Sequence, residues 1–347
     1  MNIETGLISF SKKLLLTELK KQITSDGAHY ELSPMYHNLI LQRLLELISL
    51  LKHNKNLSEE STIKLLIKYA DKMLGWANKI TISKKNIIPQ INDSVQGICH
   101  SIKTLNNFAG KINISSAVNH NLSDSGFRIM ENEHLRVLID ISEIVSKNQP
   151  AHSHADTFNF LLQYDNNPII VDPGISTYEK NKIRLRERST SFHNTVLVEG
   201  QNNNEVWSSF RVGRIAKVNI IQDSSNQIIA SHNGYNFLGI THKRCWSIVS
   251  EKEVKINDFI ISKSNNNPKC YANFHFYPET KLELTNNGFL LNKKLIISFA
   301  NYDDIVQKKY EYCLGFNNRV IAPKITVKFS NSLTTSIKEL NEKNIIS

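Results

Sequence analysis

The sequence contains few cysteines and no long apolar run. The four cysteines, at positions 99, 245, 270 and 313, lie far apart and form no C-x-x-C pair, which argues against a zinc knuckle or a dithiol redox motif. A chain of 347 residues does not need a disulfide framework to fold, so we expect buried free thiols. No run of about 18 apolar residues occurs, and no transmembrane helix is therefore predicted.

Signals for export and for nucleic-acid binding are also missing. The segment Met1–Gly6 lacks the basic-then-apolar order of a secretory signal, so either the chain is cytoplasmic as written or its true N-terminus lies upstream. The formal net charge of +10 suits an anionic partner such as nucleic acid, a membrane surface or an acidic polysaccharide, although scattered surface lysines would give the same surplus. No basic run is interleaved with aromatic residues, so nucleic acid is the weakest of these partners.

The first third of the chain has the apolar periodicity of helices. Ser25-Asp26-Gly27 breaks the first of them, and Ser33-Pro34 offers an N-cap and a first-turn proline for the second. Asn92-Asp93-Ser94 is expected to cap a further helix. Antiparallel helices joined by short loops are typical of a bundle or an α/α toroid. The predicted helices run through residues 14–19, 39–51, 58–77 and 94–108.

After about residue 120 the apolar period changes to two, which is typical of an all-β sandwich. The boundary is placed within residues 113–124, giving a helical domain over 1–118 and a β domain over 119–347. The Asn-rich stretches 202–204 and 265–267 are predicted loops, and residues 331–347 are expected to fray. The predicted strands run through residues 136–141, 158–162, 169–171, 195–198, 214–221, 228–230 and 246–249.

Three short polar segments stand out in the β domain: Pro150–Asp156, Val171–Gly174 and Arg188–Thr195. On a strand, His152 and His154 would project to the same side. In the second segment, Asp172 places a carboxylate at the end of an apolar strand. In the third, His193 lies where a polar loop enters a strand. Two imidazoles and a carboxylate that converge at strand ends suit a Zn²⁺ site with an open position for water. Each histidine could equally be a hydrogen-bonded loop residue.

These segments, in this order and spacing, closely resemble the heparinase II/III-like family. The resemblance extends from about residue 10 to about residue 320, and it implies an α+β multidomain fold in which a partial α/α toroid is followed by an antiparallel β-sandwich. The motifs that carry it are Ala151–Asp156, Val171–Gly174, Arg188–Thr190, His193–Thr195, Ser208–Arg214, Asn233–Tyr235 and His242–Arg244, with Ser25–His37 and Ile91–Ser94 upstream.

The resemblance also implies a reaction, the β-elimination of a uronic acid in an acidic polysaccharide. Tyr36 is then the acid/base candidate, because neighbouring cations can lower a phenolic pKa, and His152 is the second catalytic candidate. The resemblance further implies a structural zinc ion bound by His154, Asp172 and His193. It also implies substrate binding by Tyr178, Arg188, His29 and Glu31.

Several of these residues have an alternative reading. Arg188 could pair with a protein carboxylate instead of substrate. His29 and Glu31 could instead have a structural role in a turn. His37 is expected at the helix surface or behind the site, and Asp156 is expected to orient a histidine rather than to bind the ion.

The chain departs from the family pattern upstream of Tyr36. Only 35 residues precede this tyrosine, and they contain no Asn-His pair of the kind that neutralises the substrate carboxylate in the family. The loss of one such contact is expected to cost ~10²–10³-fold in rate. Three explanations stay open: the sequence is a fragment of a longer gene, another residue takes over this role, or the protein binds or assembles a polysaccharide without cutting it. A metal-dependent hydrolase that uses the same histidines and aspartate is a further alternative. The resemblance implies that the protein lies in the cell envelope or the periplasm. This expectation disagrees with the N-terminus, which as written fits a cytoplasmic chain.

Overall fold

The computed structural model begins with a helical region. Its four helices are α1 (Ile3–Gln22), α2 (Pro34–His53), α3 (Glu60–Ile80) and α4 (Ile102–Lys111). A fifth short helix, α5 (Lys182–Glu187), lies within the β region. No described helix is both long and apolar enough to cross a membrane. The structure describes residues 3–54, 57, 59–82, 86–116, 122–144, 150–264 and 267–340.

The rest of the described chain is built from antiparallel strands. They are β1 (Phe127–Glu131), β2 (Leu135–Asp140), β3 (Phe160–Tyr164), β4 (Asn167–Ile170), β5 (Val196–Val198), β6 (Val206–Trp207), β7 (Arg211–Val212), β8 (Val218–Asp223), β9 (Gln227–His232), β10 (Ile240–Ser250), β11 (Glu253–Ser262), β12 (Cys270–His275), β13 (Leu282–Thr285), β14 (Gly288–Leu291), β15 (Leu295–Ala300), β16 (Asp304–Gly315), β17 (Asn318–Phe329) and β18 (Ser332–Glu339).

These strands form a sandwich. One layer is an eight-stranded sheet in the order β13-β14-β15-β18-β11-β10-β9-β8. The other layer contains two four-stranded sheets, β1-β2-β3-β4 and β16-β17-β12-β5. A bridge between Ile170, at the end of β4, and Phe276, just after β12, links them. One apolar core fills the space between the layers. The hairpin β6–β7 stands outside both layers.

The helical region packs on the outer face of the sheet β1-β2-β3-β4. Along β2, Val137 and Ile139 enter the sandwich core, whereas Leu138 joins the core of the helices. Along β3, Leu161 also faces the helices. The two-residue period of a strand thus places apolar side chains on both faces of this middle sheet. The predicted order, a partial toroid followed by a β-sandwich, is confirmed.

The start of α2 fixes the position of Tyr36. Ser33 caps the helix with its Oγ, which accepts from the Tyr36 amide, and Pro34 takes the first helical position. The same hydroxyl bonds to Ser94 Oγ at 2.8 Å and to the carbonyl of Asp93 at 3.1 Å. Tyr36 therefore lies in the first turn of a helix whose cap is tied to the loop 92–94.

Three local predictions are wrong. Asn92-Asp93-Ser94 does not cap α4, because Ser101 does so, with its Oγ accepting from Thr104 N at 3.2 Å. Pro150–His152 form a 3₁₀ turn and not a strand. Residues 332–339 do not fray, since β18 pairs with both β11 and β15. Residues 265, 266 and 341–347, and 117–121 at the expected domain boundary, lie outside the described part.

His37 was expected at the surface of α2 or behind the site, and the surface position is wrong because the residue is fully buried. Its Nδ1 accepts from the His29 amide at 3.1 Å, and its Nε2 bonds to the Met73 carbonyl at 3.0 Å. Its ring packs against Trp76, with 4.5 Å between centroids. The ring is therefore neutral, with its proton on Nε2. Burial lowers the pKa of His37 to about 3.

Acid is expected to destabilise the helical region through His37. In the unfolded chain this ring takes a proton near pH 6.5, but in the folded protein it stays neutral down to about pH 3. Stability is therefore complete above pH 6.5 and is lost as the pH falls from about 6.5 to about 3. Glutamine at position 37 keeps one hydrogen-bond acceptor and one donor but has no titrating group. The urea midpoint of His37→Gln should therefore fall less than that of the wild type between about pH 7.5 and about pH 5. An equal fall of the urea midpoint in the two proteins over this pH range would contradict this explanation.

Candidate active site and metal site

Asp93 lies at the centre of the site and is fully buried. Its carboxylate accepts from His152 Nδ1 at 2.9 Å and from His154 Nε2 at 2.8 Å. It also forms a bidentate ion pair with Arg184, in which the longer bond is 2.7 Å. Burial alone would raise the pKa of Asp93, but these hydrogen bonds and charges hold it well below its usual range. One anionic side chain therefore orients both histidines of the predicted H-x-H segment.

The loop 92–94 and the segment 152–154 are joined by backbone contacts as well. The Asp93 amide donates to the His152 carbonyl at 3.1 Å, and the His154 amide donates to Asn92 Oδ1 at 3.0 Å. Asn92 has a positive φ of 53°, a conformation that Asn tolerates better than most residues. The loop from the helical region and the loop from the sandwich thus form one unit.

Tyr36, His152 and Tyr178 come together beside Asp93. The hydroxyls of Tyr36 and Tyr178 are 2.9 Å apart. The ring of Tyr36 lies 4.3 Å from that of His152, and the ring of Tyr178 lies 6.3 Å from it. The structure therefore unites two catalytic candidates and one substrate-binding candidate from three distant segments. Their chemical roles stay predictions.

The pKa of Tyr36 is shifted in the direction opposite to the expected one. Burial raises it, and the charges of Asp93 and Glu31 add to this rise, although the hydrogen bond from Tyr178 and the charge of Arg184 act against it. Arg184 has little effect because its own charge is balanced by Asp93. At neutral pH the phenol of Tyr36 therefore keeps its proton and is ready to act as an acid.

Sequence reasoning missed Asp93, Arg184 and Phe210 as members of the site. Arg184 is fully buried, and its guanidinium lies 5.2 Å from the ring of Tyr178 and 5.3 Å from that of Phe210. Phe210 also contacts His152, with 6.4 Å between ring centroids. Phe210 belongs to the segment Ser208–Arg214 that carried the resemblance, which was a usable signal. Nothing in the sequence marks Arg184, and the motif Arg188–Thr190 points to Arg188 instead.

His154, His193 and Asp172 form a second, deeper cluster, and all three are buried. His193 Nδ1 bonds to Asp172 Oδ2 at 2.8 Å, and the two imidazole centroids are 5.2 Å apart. His154 Nδ1 and His193 Nε2 are buried without a hydrogen-bond partner. Each ring thus has one nitrogen on a carboxylate and one nitrogen unused, which is the usual state of a histidine that binds a metal.

Two further carboxylates, Asp140 and Asp156, lie around this cluster and are also buried. Burial raises the pKa of Asp156 to about 6, to which the charge of Asp172 contributes. Burial and the charge of Asp156 raise the pKa of Asp140. Asp156 Oδ2 has no partner. Among the residues that the structure describes, no three side chains form a ready arrangement for an ion. The unused atoms and crowded carboxylates nevertheless fit a bound cation.

Two of the predicted substrate-binding residues are buried, and a third stays near the site. Arg188 is fully buried, and it donates to the carbonyls of Ser153 and Ser208 at 2.9 and 3.4 Å. Its guanidinium therefore supports two loops, and the carboxylates of Asp93 and Asp156 lie near enough to act on its charge. Its predicted contact with substrate stays a prediction. His29 is buried below Tyr30 and bonds to Gln22, which withdraws it from a cleft surface. Glu31 stays near the site, 3.8 Å from His152 Nε2.

Two family models together match nearly the whole chain. The model described as "Heparinase II/III N-terminus" matches residues 8–116, and the one described as "Heparinase II/III-like, C-terminal" matches residues 116–339. The chain belongs to the heparinase II/III-like family. The two matches meet close to the boundary expected from the change of period. A comparison of this chain with curated proteins found no significant match.

Solved structures of similar proteins share the fold of this family member. The heparan sulfate lyase HepC of Pedobacter heparinus matches with a TM-score of 0.71 at 17% identity, over 96% of this chain and 56% of HepC. A structure described as a heparinase III gene product matches with a TM-score of 0.72 at 14% identity, over 94% of this chain and 55% of that one. The chain therefore spans little more than half the length of these proteins.

Proposed function

We propose that this family member cleaves a uronic-acid-containing polysaccharide by β-elimination, and that Tyr36, His152 and Tyr178 line the cleft that holds it. The observation that carries the proposal is the meeting of a protonated phenol and an oriented imidazole, 4.3 Å apart between ring centroids, on opposite sides of the junction between helices and sandwich. β-Elimination needs an acid and a base side by side. The family membership supports this reaction, and an acidic polymer suits the basic surplus of the chain.

In the proposed reaction His152 is the base and Tyr36 is the acid. Because ionised Asp93 accepts from His152 Nδ1, the base of the proposed step is the other ring nitrogen, Nε2. Nε2 lies 3.8 Å from the Glu31 carboxylate, which is longer than a hydrogen bond, so it is available to accept the C5 proton. As the C4–O bond breaks, the Tyr36 hydroxyl donates its proton to the leaving oxygen, and the C4=C5 double bond of an unsaturated uronate remains.

An assay of the purified chain against a panel of uronate polymers tests the proposal. A lyase produces ultraviolet absorbance from the new double bond, together with new chain ends. A hydrolase would produce reducing ends without this absorbance. A polymer without uronate, such as dextran, is the matched control because it has no acidic C5 proton. New ends without absorbance would contradict the proposal.

One observation favours a second candidate, a protein that binds a polysaccharide without cutting it. Proton abstraction next to a carboxylate needs a group that neutralises the carboxylate charge. Arg184 is the buried cation beside the cleft rings, but Asp93 already pairs with it. In the panel assay, polymer binding without any absorbance would support this candidate.

We further propose that His154 and His193 hold a zinc ion, with Asp172 as the third predicted ligand. Their nitrogen and oxygen donors are those that zinc prefers, and an ion would use the partnerless atoms of this cluster. Asp172 accepts from His193 Nδ1, so a direct ligand role requires it to exchange this hydrogen bond for the ion. Bound zinc would supply a positive charge that stabilises the crowded carboxylates and holds the cleft wall in place.

Elemental analysis is expected to find about one zinc per purified chain. His193→Ala should lose the metal, and chelation should lower the free energy of unfolding of the wild type by about 4 kcal/mol if zinc is present at about a thousand times its Kd. His134→Ala is the matched control, because His134 bonds to Asp165 on a surface turn away from this cluster. Wild-type protein without zinc, with a stability that chelators do not change, would remove the metal site.

A further inference from the structure

An exposed tryptophan lies on the hairpin β6–β7, next to the cleft. Trp207 is 53% exposed, whereas the other two tryptophans of the sequence, Trp76 and Trp246, are fully buried. Trp207 pairs with Arg211 across the hairpin, and the Arg211 guanidinium lies 5.9 Å from the indole ring. Residues directly opposite in a strand pair share one face. The hairpin therefore presents an aromatic ring and a cation together to solvent.

The turn of this hairpin is held in place by buried groups of the site. Arg184 Nε donates to the Ser209 carbonyl at 3.0 Å, and Arg188 donates to the Ser208 carbonyl. Phe210, between the turn and Arg211, packs on Tyr178 with 5.5 Å between ring centroids. Since Arg184 also binds Asp93, the chain of contacts that orients His152 also positions the hairpin.

The opposite end of the hairpin is closed as well. The Glu205 amide donates to the Arg214 carbonyl at 2.8 Å, and the Gly213 amide donates to the Glu205 carbonyl at 2.8 Å. Val206 and Val212, which pair on the face away from Trp207, are partly buried. Trp207 and Arg211 thus stand on a backbone that is fixed at both ends, so little backbone freedom is lost when a ligand binds.

We propose that Trp207 and Arg211 form a subsite for one sugar ring of the substrate polymer, outside the reacting position. The apolar C–H face of a pyranose would stack on the indole, and a carboxylate or sulfate on the same or the next sugar would bind the planar guanidinium of Arg211. This inference rests on the proposed function for the choice of an acidic polysaccharide as the ligand. It adds a site that extends the cleft along the hairpin.

Fluorescence quenching tests the subsite without any need for activity. With Trp76 and Trp246 buried, quenching by acrylamide in the native protein reports mainly on Trp207. A uronate polymer should protect this fluorescence, and dextran should not. Trp207→Phe should show little quenching and no response to polymer. Unchanged quenching of the wild type at polymer concentrations that saturate binding would overturn the subsite. So would protection that depends on protein concentration in the absence of polymer, since a second copy of the chain would then cover the tryptophan.

Affinity measurements separate the subsite from general surface effects. Trp207→Ala should raise the Kd for polymer about three- to tenfold, with little effect on a disaccharide that fills only the reacting position. The matched control is Phe259→Ala, because Phe259 is also exposed, at 41%, and also lies near a cation, Lys243, but on the outer face of β11. An equal loss of affinity in both variants would overturn the proposal. Arg211→Gln should weaken sulfated and non-sulfated uronate polymers alike if a carboxylate is bound, and mainly the sulfated ones if a sulfate is bound.

The outcomes for the subsite and for the lyase reaction can be told apart. Cleavage by the wild type together with an unchanged Kd for Trp207→Ala would reject the subsite alone. Weaker binding by Trp207→Ala without cleavage by the wild type would support the subsite and reject the lyase. A wild type that binds no acidic polymer would reject both.

Discussion

Asp93→Ala is expected to lower the free energy of unfolding by about 3–5 kcal/mol, because it leaves Arg184 buried without a counter-charge. Arg184 and Asp93 are both fully buried, and the carboxylate accepts both hydrogen bonds of the guanidinium pair. The substitution also frees His152 Nδ1 and His154 Nε2. Denaturation in urea measures the loss of stability, and we expect zinc content and activity to fall in the same variant.

Asp258→Ala is a matched control for this prediction. Asp258 is equally buried, and it pairs with Arg244 at 2.6 Å and with His242 at 2.6 Å inside the sandwich. It should cost a similar amount of stability but leave both bonds of Asp93 to the histidines in place. A loss below about 1 kcal/mol for Asp93→Ala would show that Arg184 finds another partner. The central role of Asp93 would then be wrong.

Tyr36→Phe is expected to lower the lyase rate by about 10²–10⁴-fold, the usual contribution of a positioned acid or base. The change removes one hydroxyl, whose contact in the protein is the Tyr178 hydroxyl at 2.9 Å. The loss of this single hydrogen bond should cost only about 0.5–1.5 kcal/mol of stability. The initial rate of absorbance increase with a saturating uronate polymer is the measurement, and the binding affinity should stay close to that of the wild type.

Tyr178→Phe provides the comparison for Tyr36→Phe. It removes the other hydroxyl of the same hydrogen bond while the Tyr36 hydroxyl remains next to His152. We therefore expect a smaller loss of rate from Tyr178→Phe than from Tyr36→Phe. Equal activity of Tyr36→Phe and the wild type would remove Tyr36 from the reaction, and a larger loss in Tyr178→Phe would exchange the two assignments.

The apolar pattern of the sequence predicted which part of the chain is helical and which part consists of strands, because helices and strands each have their own apolar period. The change from a helical period to a period of two separates the helices from the strands. The same pattern could not show that Leu138 and Leu161 face the helices, because both faces of the middle sheet are apolar. It also failed for residues 332–339, which look like a polar tail but alternate buried and partly buried side chains within a sheet.

The site was only partly predictable. Tyr36, His152, His154, Asp172 and His193 could be named from short motifs, and the structure places them in two adjoining clusters. The role of Asp93 depends on partners that are 59, 61 and 91 residues away in the sequence. Such pairings depend on how the loops dock, and they leave no periodic signal.

The same limit explains the wrong direction for the pKa of Tyr36. The expectation of a lowered phenolic pKa was based on the general effect of neighbouring cations. The sequence does not show that Arg184 is neutralised by Asp93 or that Arg188 is used by backbone carbonyls. Electrostatic effects depend on burial and pairing, and both are properties of the folded chain.

The position of β18 has a consequence for how the protein is made. A ribosome releases the chain from its N-terminus, yet β18 pairs with β11 and β15 in the interior of the eight-stranded sheet. Both partner strands must therefore wait with open edges until residue 339 has emerged. Open edges invite pairing with other chains, so the nascent protein should depend on chaperones until this late strand closes the sheet.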